Sequence, residues 1–314
     1  MPPFPLLRLP GVVLFDVFKS LSIREKILLS LCSKRISTQI NNAQFYSQKV
    51  IVDLDMLYQG IRVHTENNRD SFEIYICPDS MIRRNLITRQ FFVECCTVRT
   101  IFIPTGISTF WKNHQEGFPS MIRHLSKMFQ CKISTKSSCN ESDLFQETIS
   151  NSCDLQLEFK KLTIHLNGSR DQNLFWYQIS SNLELVESLC ISSVPDPGFR
   201  PVFTSWPQNI FIGNSAWFTV EYLLACTCTT ITLEDSSLEN KDLEEILKIW
   251  KAGGFPNLER LKIHSRNITS TGTTILGMNS EELYKKDIET EDGSKKAFIR
   301  IRDQCLEMSV TPLE

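Results

Sequence analysis

From Val12 to Phe18 the chain is apolar at every position except Asp16, more than an amphipathic helix with one buried face requires. This helix opens behind Leu9-Pro10, because proline at a first helical position gives up only an N–H that would be unpaired anyway. Ser22-Ile23-Arg24-Glu25 has the capping-box form and sets a second helix start at Ser22. Ile23, Ile27, Leu28, Leu29, Leu31 and Cys32 then spread apolar surface over more than half of that helix. Ile36 and Ile40 continue at helical spacing and predict a third helix reaching about Gln48. So short a module cannot complete a core alone, so the rest of the chain, a partner, or both must cover it.

Beyond it the pattern shortens to that of strands. Extended segments are predicted at Val50–Leu54, Phe72–Cys77, Val98–Ile103, Leu157–Leu166, Val186–Ile191, Asn209–Ile212, Thr229–Leu233, Leu258–His264, Ala297–Arg302 and Cys305–Val310. Five share an apolar-x-apolar signature: Leu162-x-Ile164, Leu189-x-Ile191, Ile210-x-Ile212, Ile231-x-Leu233 and Leu261-x-Ile263. Their spacings are 27, 21, 21 and 30 residues. That rhythm is close to a leucine-rich repeat of about 20 to 29 residues, but irregular and without a regular asparagine ladder.

Helical periodicity returns between strands. In Leu238–Ala252 the residues Leu243, Ile246, Leu247 and Trp250 fall on one face, with acidic residues early, lysines late and Gly253-Gly254 as the stop. With its flanking strands this segment predicts a βαβ unit from Thr229 through Ile263, hence a parallel pair. Ser120–Gln130 and Trp217–Leu224 are further helix candidates. Lys132–Asp143 reads as a surface loop, Asp196-Pro197-Gly198 as a turn, and the charged stretch around Asp292-Gly293 as a solvated helix or a hairpin. The fold class is α/β, α+β overall: a small three-helix module over residues 1–48, then an irregular leucine-rich-repeat-like strand and helix domain over residues 49–314.

The front module resembles an F-box, the motif by which substrate receptors dock on the Skp adaptor of cullin-RING ubiquitin ligases. The resemblance is carried by Leu9-Pro10, Val13-Leu14, Val17-Phe18, Leu21, Ile23, Ile27 and the close Ser33-Lys34-Arg35. It departs at Lys26, where many F-boxes have Leu, and at Ile36, where many have Trp. It implies adaptor binding through Leu9, Pro10, Val13, Leu14, Val17, Phe18, Leu21, Ile27, Lys34 and Arg35, and through the adaptor a link to cullin. The later run Trp217-Phe218, Ile231-x-Leu233, Asn240-Lys241-Asp242-Leu243, Gly253-Gly254 and Pro256-x-Leu258-Glu259 is similar to the F-box-associated region of a large nematode F-box family. That likeness covers about residues 150–310 and implies a substrate-binding role by domain order, without identifying binding residues.

Composition narrows the setting. The 314 residues are 41% hydrophobic, enough for a sizeable core, and the net charge of -2 gives no general attraction to nucleic acid or anionic membrane. No apolar run is long enough to span a bilayer, and Arg8 and Pro10 interrupt any signal-peptide core. Eleven cysteines without a regular framework fit reduced thiols, so the expected location is intracellular, cytoplasmic or nuclear.

Catalytic and ligand-binding spacings are missing. The five histidines show no H-x-x-x-H pattern, and neither phosphate-binding glycine loop nor G-x-S-x-G elbow occurs. Cys95-Cys96 and Cys226-Thr227-Cys228 lack zinc or redox spacing, so neither a metal nor a cofactor is expected. The consecutive rings Phe175-Trp176-Tyr177 cannot all face one core and are the candidate recognition anchor for a protein substrate. Residues alternating with the buried strand positions, Thr163, Cys190, Phe211, Thr232 and Lys262, would line one exposed face of a stacked sheet. Two readings follow: a noncatalytic substrate receptor of a Skp-cullin-F-box ligase, or a repeat-like interaction module outside ubiquitin transfer.

Overall fold

The computed structural model describes residues 8–43, 50–55, 57–83, 85, 87–94, 96–113, 115–129, 131–135, 143–166, 170–192, 200–269, 274–302 and 304–313. The end of the predicted third helix beyond residue 43, most of the predicted loop at 132–143 and the predicted turn at 196–198 lie outside them. Two compact units result, Met1–Lys160 and Lys161–Glu314.

The first unit opens with α1 (Gly11–Ser20), α2 (Ile23–Cys32) and α3 (Lys34–Ala43). The Ser22 capping box forms: Ser22 N–H donates to Glu25 Oε2 at 2.8 Å and Glu25 N–H donates to Ser22 Oγ at 3.3 Å. Strands β1 (Val50–Asp55), β2 (Gly60–Thr65), β3 (Ser71–Pro78), β4 (Arg89–Val93), β5 (Cys96–Ile103) and β6 (Gly106–Trp111) follow, then α4 (Gly117–Phe129), β7 (Lys132–Thr135) and α5 (Asp143–Asp154). The sheet runs β7-β1-β2-β3-β6-β5-β4. Among the described residues of this sheet, only β1 with β7 and β3 with β6 pair in parallel.

Helix α2 packs on β3 and β4, and α3 packs on α1, α2 and α4. Phe18, Ile23, Ile27, Leu31 and Ile40 are buried there. Burying each such side chain stabilises by roughly 2 kcal/mol, so much of the module's apolar excess is covered within its own unit. Gly106 is required where β6 meets β3, because a Cβ there would collide with the Glu73 carbonyl.

In this unit sequence periodicity missed β2, β4, β6, β7 and α5. In α5 the inward positions include Thr148, Ser152 and Cys153, so small polar groups fill places where periodicity looks for large apolar ones. Lys132 to Thr135, expected as loop, is extended because it pairs with Ile51 to Leu54.

The second unit opens within β8 (Phe159–Ile164) and continues through α6 (Arg170–Ile179), β9 (Ser188–Ile191), β10 (Asn209–Ile212), α7 (Val220–Ala225), β11 (Thr230–Leu233), α8 (Asn240–Lys251), β12 (Arg260–His264), α9 (Ser280–Leu283), β13 (Lys286–Glu289), β14 (Lys295–Arg302) and β15 (Cys305–Pro312). Its order is β8-β9-β10-β11-β12-β15-β14-β13, parallel from β8 to β12 and antiparallel beyond. The apolar-x-apolar positions fall in register: Leu162, Leu189, Ile210, Ile231 and Leu261 form one buried row. The expected βαβ unit is the pairing of β11 with β12 across α8.

Consecutive turns are also tied by side chains. Ser215 Oγ donates to the Glu234 carbonyl at 2.8 Å, Ser265 Oγ to Leu238 at 2.7 Å, and Asn267 Nδ2 to Ser237 at 3.0 Å. Behind the strands, Trp176, Phe203, Trp206, Trp217, Phe218 and Tyr222 form an aromatic cluster, with Phe203 and Trp206 stacked at 4.2 Å. The Asp292-Gly293 region forms the β13–β14 hairpin, Gly293 taking φ +68 at the turn. Along β9, β11, β12 and β14, buried positions alternate with positions that are half-buried or exposed.

Candidate functional site

The sequence-predicted docking residues divide into two groups. Leu14, Phe18 and Ile27 are buried and hold the three helices to the first unit, Phe18 being only 1% exposed. Leu9, Val17 and Leu21 are half-buried, while Pro10, Lys34 and Arg35 are exposed. Val13 stands 45% exposed and its neighbour Val12, absent from the predicted set, 77%. Two adjacent β-branched residues thus open an apolar patch on α1, and an unbroken apolar run was the signal for Val12.

Lys26, one of the two departures, is 2% exposed and turned into its own unit. Burial pushes its ammonium below the usual lysine range, and the neighbouring Asp70 carboxylate opposes that shift. Asp70 also accepts the Ile23 backbone N–H at 2.6 Å, and Arg24 donates to the Pro104 carbonyl at 3.2 Å. The other departure, Ile36, is half-buried.

In α6, Phe175 and Trp176 are buried and the Trp176 indole N–H donates to the Val202 carbonyl at 2.8 Å. Tyr177 alone of the three rings faces outward, 63% exposed. Helical geometry explains this split, since three consecutive residues span most of a turn.

The sheet face opposite the buried row forms the second candidate surface. Cys190, Phe211, Thr232 and Lys262 lie in register and half-buried or exposed, whereas Thr163 at the β8 end is buried. The row continues antiparallel through Glu307 and Arg300. Lys262 reaches Glu234 at 3.5 Å and Arg300 reaches Glu307 at 3.5 Å. Lys262, Arg300 and Glu307, with His264, Arg302 and Cys305, line an open depression of about 300 Å³. Burial pushes the Cys305 thiol up, which disfavours the reactive thiolate at neutral pH.

Burial likewise raises Cys131 to about 11 and Cys153 to about 12. Cys226 and Cys228 are buried beside each other, and their mutual hydrogen bond lowers the first thiol and raises the second. Among the described residues no three histidine, cysteine or carboxylate side chains group as a metal site. No helix among them is long and apolar enough to cross a membrane.

Comparison with known families finds an F-box domain at residues 6–48 and an F-box-associated domain at residues 199–263. The chain therefore carries an N-terminal F-box followed by an F-box-associated domain, an order that points to substrate recognition in ubiquitin ligation and to a noncatalytic role. The second match spans β10 to β12, inside the longer stretch outlined from sequence.

Three curated proteins of Caenorhabditis elegans are similar. Uncharacterized protein F59B2.8 is 20% identical over 97% of this chain and 69% of its own length, and uncharacterized protein F59B2.9 is 23% identical over 82% and 61%. E3 ubiquitin-protein ligase hecw-1 is 21% identical over 94% of this chain, which spans only 24% of that protein. No solved structure matches.

Proposed function

We propose that this protein is the substrate-recognition subunit of a Skp-cullin-F-box ubiquitin ligase. Residues 1–48 act as the adaptor-docking module and residues 49–314 as the recognition domain. The observation that carries this reading is the open Val12 and Val13 patch on a helix otherwise locked to its unit, within the segment that matches an F-box. Partner helices cover such patches, and desolvating two valines contributes roughly 2–3 kcal/mol to docking. Leu9, Pro10, Val17 and Leu21 complete the proposed docking set, with Lys34 and Arg35 as exposed cations, while Leu14, Phe18 and Ile27 act by holding the module's shape.

In this reading the protein contributes no reacting group. It accelerates transfer by holding an acceptor lysine of a bound protein near a thioester supplied through cullin, converting an encounter into an effectively unimolecular step. The likeness to a protein named an E3 ubiquitin-protein ligase fits that setting. In-register rows with turn-bridging serine and asparagine bonds support a leucine-rich-repeat-like description of the recognition domain. Tyr177, with Phe175 and Trp176 beneath it, remains a candidate anchor for the target. The working compartment is the cytoplasm or nucleus, where thiols stay reduced.

The test is retention of a purified Skp-family adaptor by the full chain. Retention by wild type, and its loss in the Val12→Asp, Val13→Asp variant with unchanged circular dichroism, is the expected result. A folded chain that does not retain the adaptor overturns the proposal and leaves an interaction protein outside ubiquitin transfer.

A further inference from the structure

The face between β11 and β14 is basic although the whole chain carries a net charge of -2. Arg260, Lys262 and His264 alternate on the outward side of β12. Across the ladder, Lys262 faces Glu307 and then Arg300, and His264 faces Cys305 and then Arg302. Four permanent cations thus share a surface with two carboxylates, Glu234 and Glu307. Lys262 and Arg300 spend part of their charge on those carboxylates at 3.5 Å, a separation too long for a tight bidentate pair. Arg260 is exposed and makes no ion pair among the described residues.

We propose that this face binds an acidic, extended segment of the target protein. The inference rests on the recognition role proposed above and gives the target's chemistry. Lys262 and Arg300 stand on strands separated by β15, about 10 Å apart at two strand spacings. An extended peptide in the polyproline II conformation, with three residues per turn at about 3.1 Å each, covers that distance in about three residues and returns to the same face, so carboxylates at i and i+3 reach both cations. Arg260, one pleat along β12, takes a further carboxylate. Phe211, 40% exposed on β10, supplies an apolar seat beside the charged rows.

The two carboxylates argue for a peptide rather than a nucleic acid. A phosphate backbone presents negative charge at every step and would meet Glu234 and Glu307 directly, whereas a peptide places carboxylates at intervals and offers N–H groups to those oxygens.

The experiment is fluorescence anisotropy of the full chain with a fluorescein-labelled peptide of about twelve residues, Glu at every third position and Tyr at its centre. Identical peptides with Lys for Glu, and a single-stranded oligonucleotide, serve as comparisons. The expected result is saturable binding of the Glu peptide alone, weakened at least tenfold by Arg260→Glu and by salt. Absent binding, equal binding of the Lys peptide, an unchanged affinity in Arg260→Glu, or tighter oligonucleotide binding overturns the proposal. Should Arg260→Glu not fold, the wild-type peptide comparison and salt dependence decide the question. Adaptor retention on the same samples separates the two readings: a chain that keeps the adaptor but ignores the Glu peptide refutes only the acidic-segment proposal.

Discussion

Asp70 accepts the backbone N–H of Ile23 at 2.6 Å, so a carboxylate from the β2–β3 turn caps the first turn of α2 and lies beside the buried Lys26. A helix start is electropositive, and an anion placed there satisfies an orphan donor while stabilising the dipole. The bond joins the N-terminal helices to the sheet of their own unit. It also explains how a lysine occupies a place where many F-boxes carry leucine.

Removing that carboxylate exposes the dependence. Asp70→Ala is expected to cost about 2 kcal/mol, because the Ile23 donor loses a charge-assisted partner and Lys26 loses its nearby anion. Urea unfolding of the two proteins measures the difference. Lys26→Leu in the Asp70→Ala background should recover part of it, since the buried charge is then gone.

Docking and folding can be separated on α1. Phe18→Ala should lower stability by about 3–5 kcal/mol, the usual cost of emptying a buried aromatic site. Val12→Asp should change stability by less than about 0.5 kcal/mol, because the side chain is already in water. Thermal melts paired with adaptor retention check both, and a Val12→Asp protein that melts early would contradict a solvent-facing position for residue 12.

His124 predicts a pH response. It is buried on α4, and the Ser30 hydroxyl, which donates to the Ile27 carbonyl at 2.7 Å, accepts from Nε2–H at 2.9 Å. Burial holds the imidazole below its ordinary value of 6.5, with Glu94 opposing and Lys127 reinforcing the shift. The unfolded chain therefore binds the proton more readily than the native one. The contribution is fully present above about pH 6.5 and is lost as the pH falls towards the lowered native value. Chemical denaturation at pH 7.5 and pH 5.5 should show a drop that His124→Gln reduces.

Gly106 leaves no room for a side chain on β6. Gly106→Ala sets a Cβ against the Glu73 carbonyl, a backbone atom that cannot rotate aside, so β3 and β6 must separate. A loss of about 3 kcal/mol or more is expected. Amide exchange should localise it to Glu73 through Cys77, and uniform exchange across the unit would contradict the strand-local account.

The sequence alone determined the elements whose information is local. The Ser22 capping box, the α8 stripe, the βαβ unit and the in-register Leu162 to Leu261 row all follow from spacing, because a 3.6 or 2 period reports which side of an element faces a core. The F-box was legible by resemblance, residue by residue along Leu9-Pro10, Val13-Leu14, Val17-Phe18 and Ser33-Lys34-Arg35. Pairing was not. Strands such as Lys132 to Thr135 exist because a distant partner, Ile51 to Leu54, supplies their hydrogen bonds, and no local pattern encodes that. Tertiary structure also decided which residues of the candidate surfaces remain in water. Leu14, Phe18 and Ile27 share the apolar character of Val12 and Val13 but lie under the rest of their unit. Arg260, Lys262, Arg300 and Arg302 become one basic face only when β12, β15 and β14 pair, since residues some forty positions apart cannot share an electrostatic surface until the sheet brings them together.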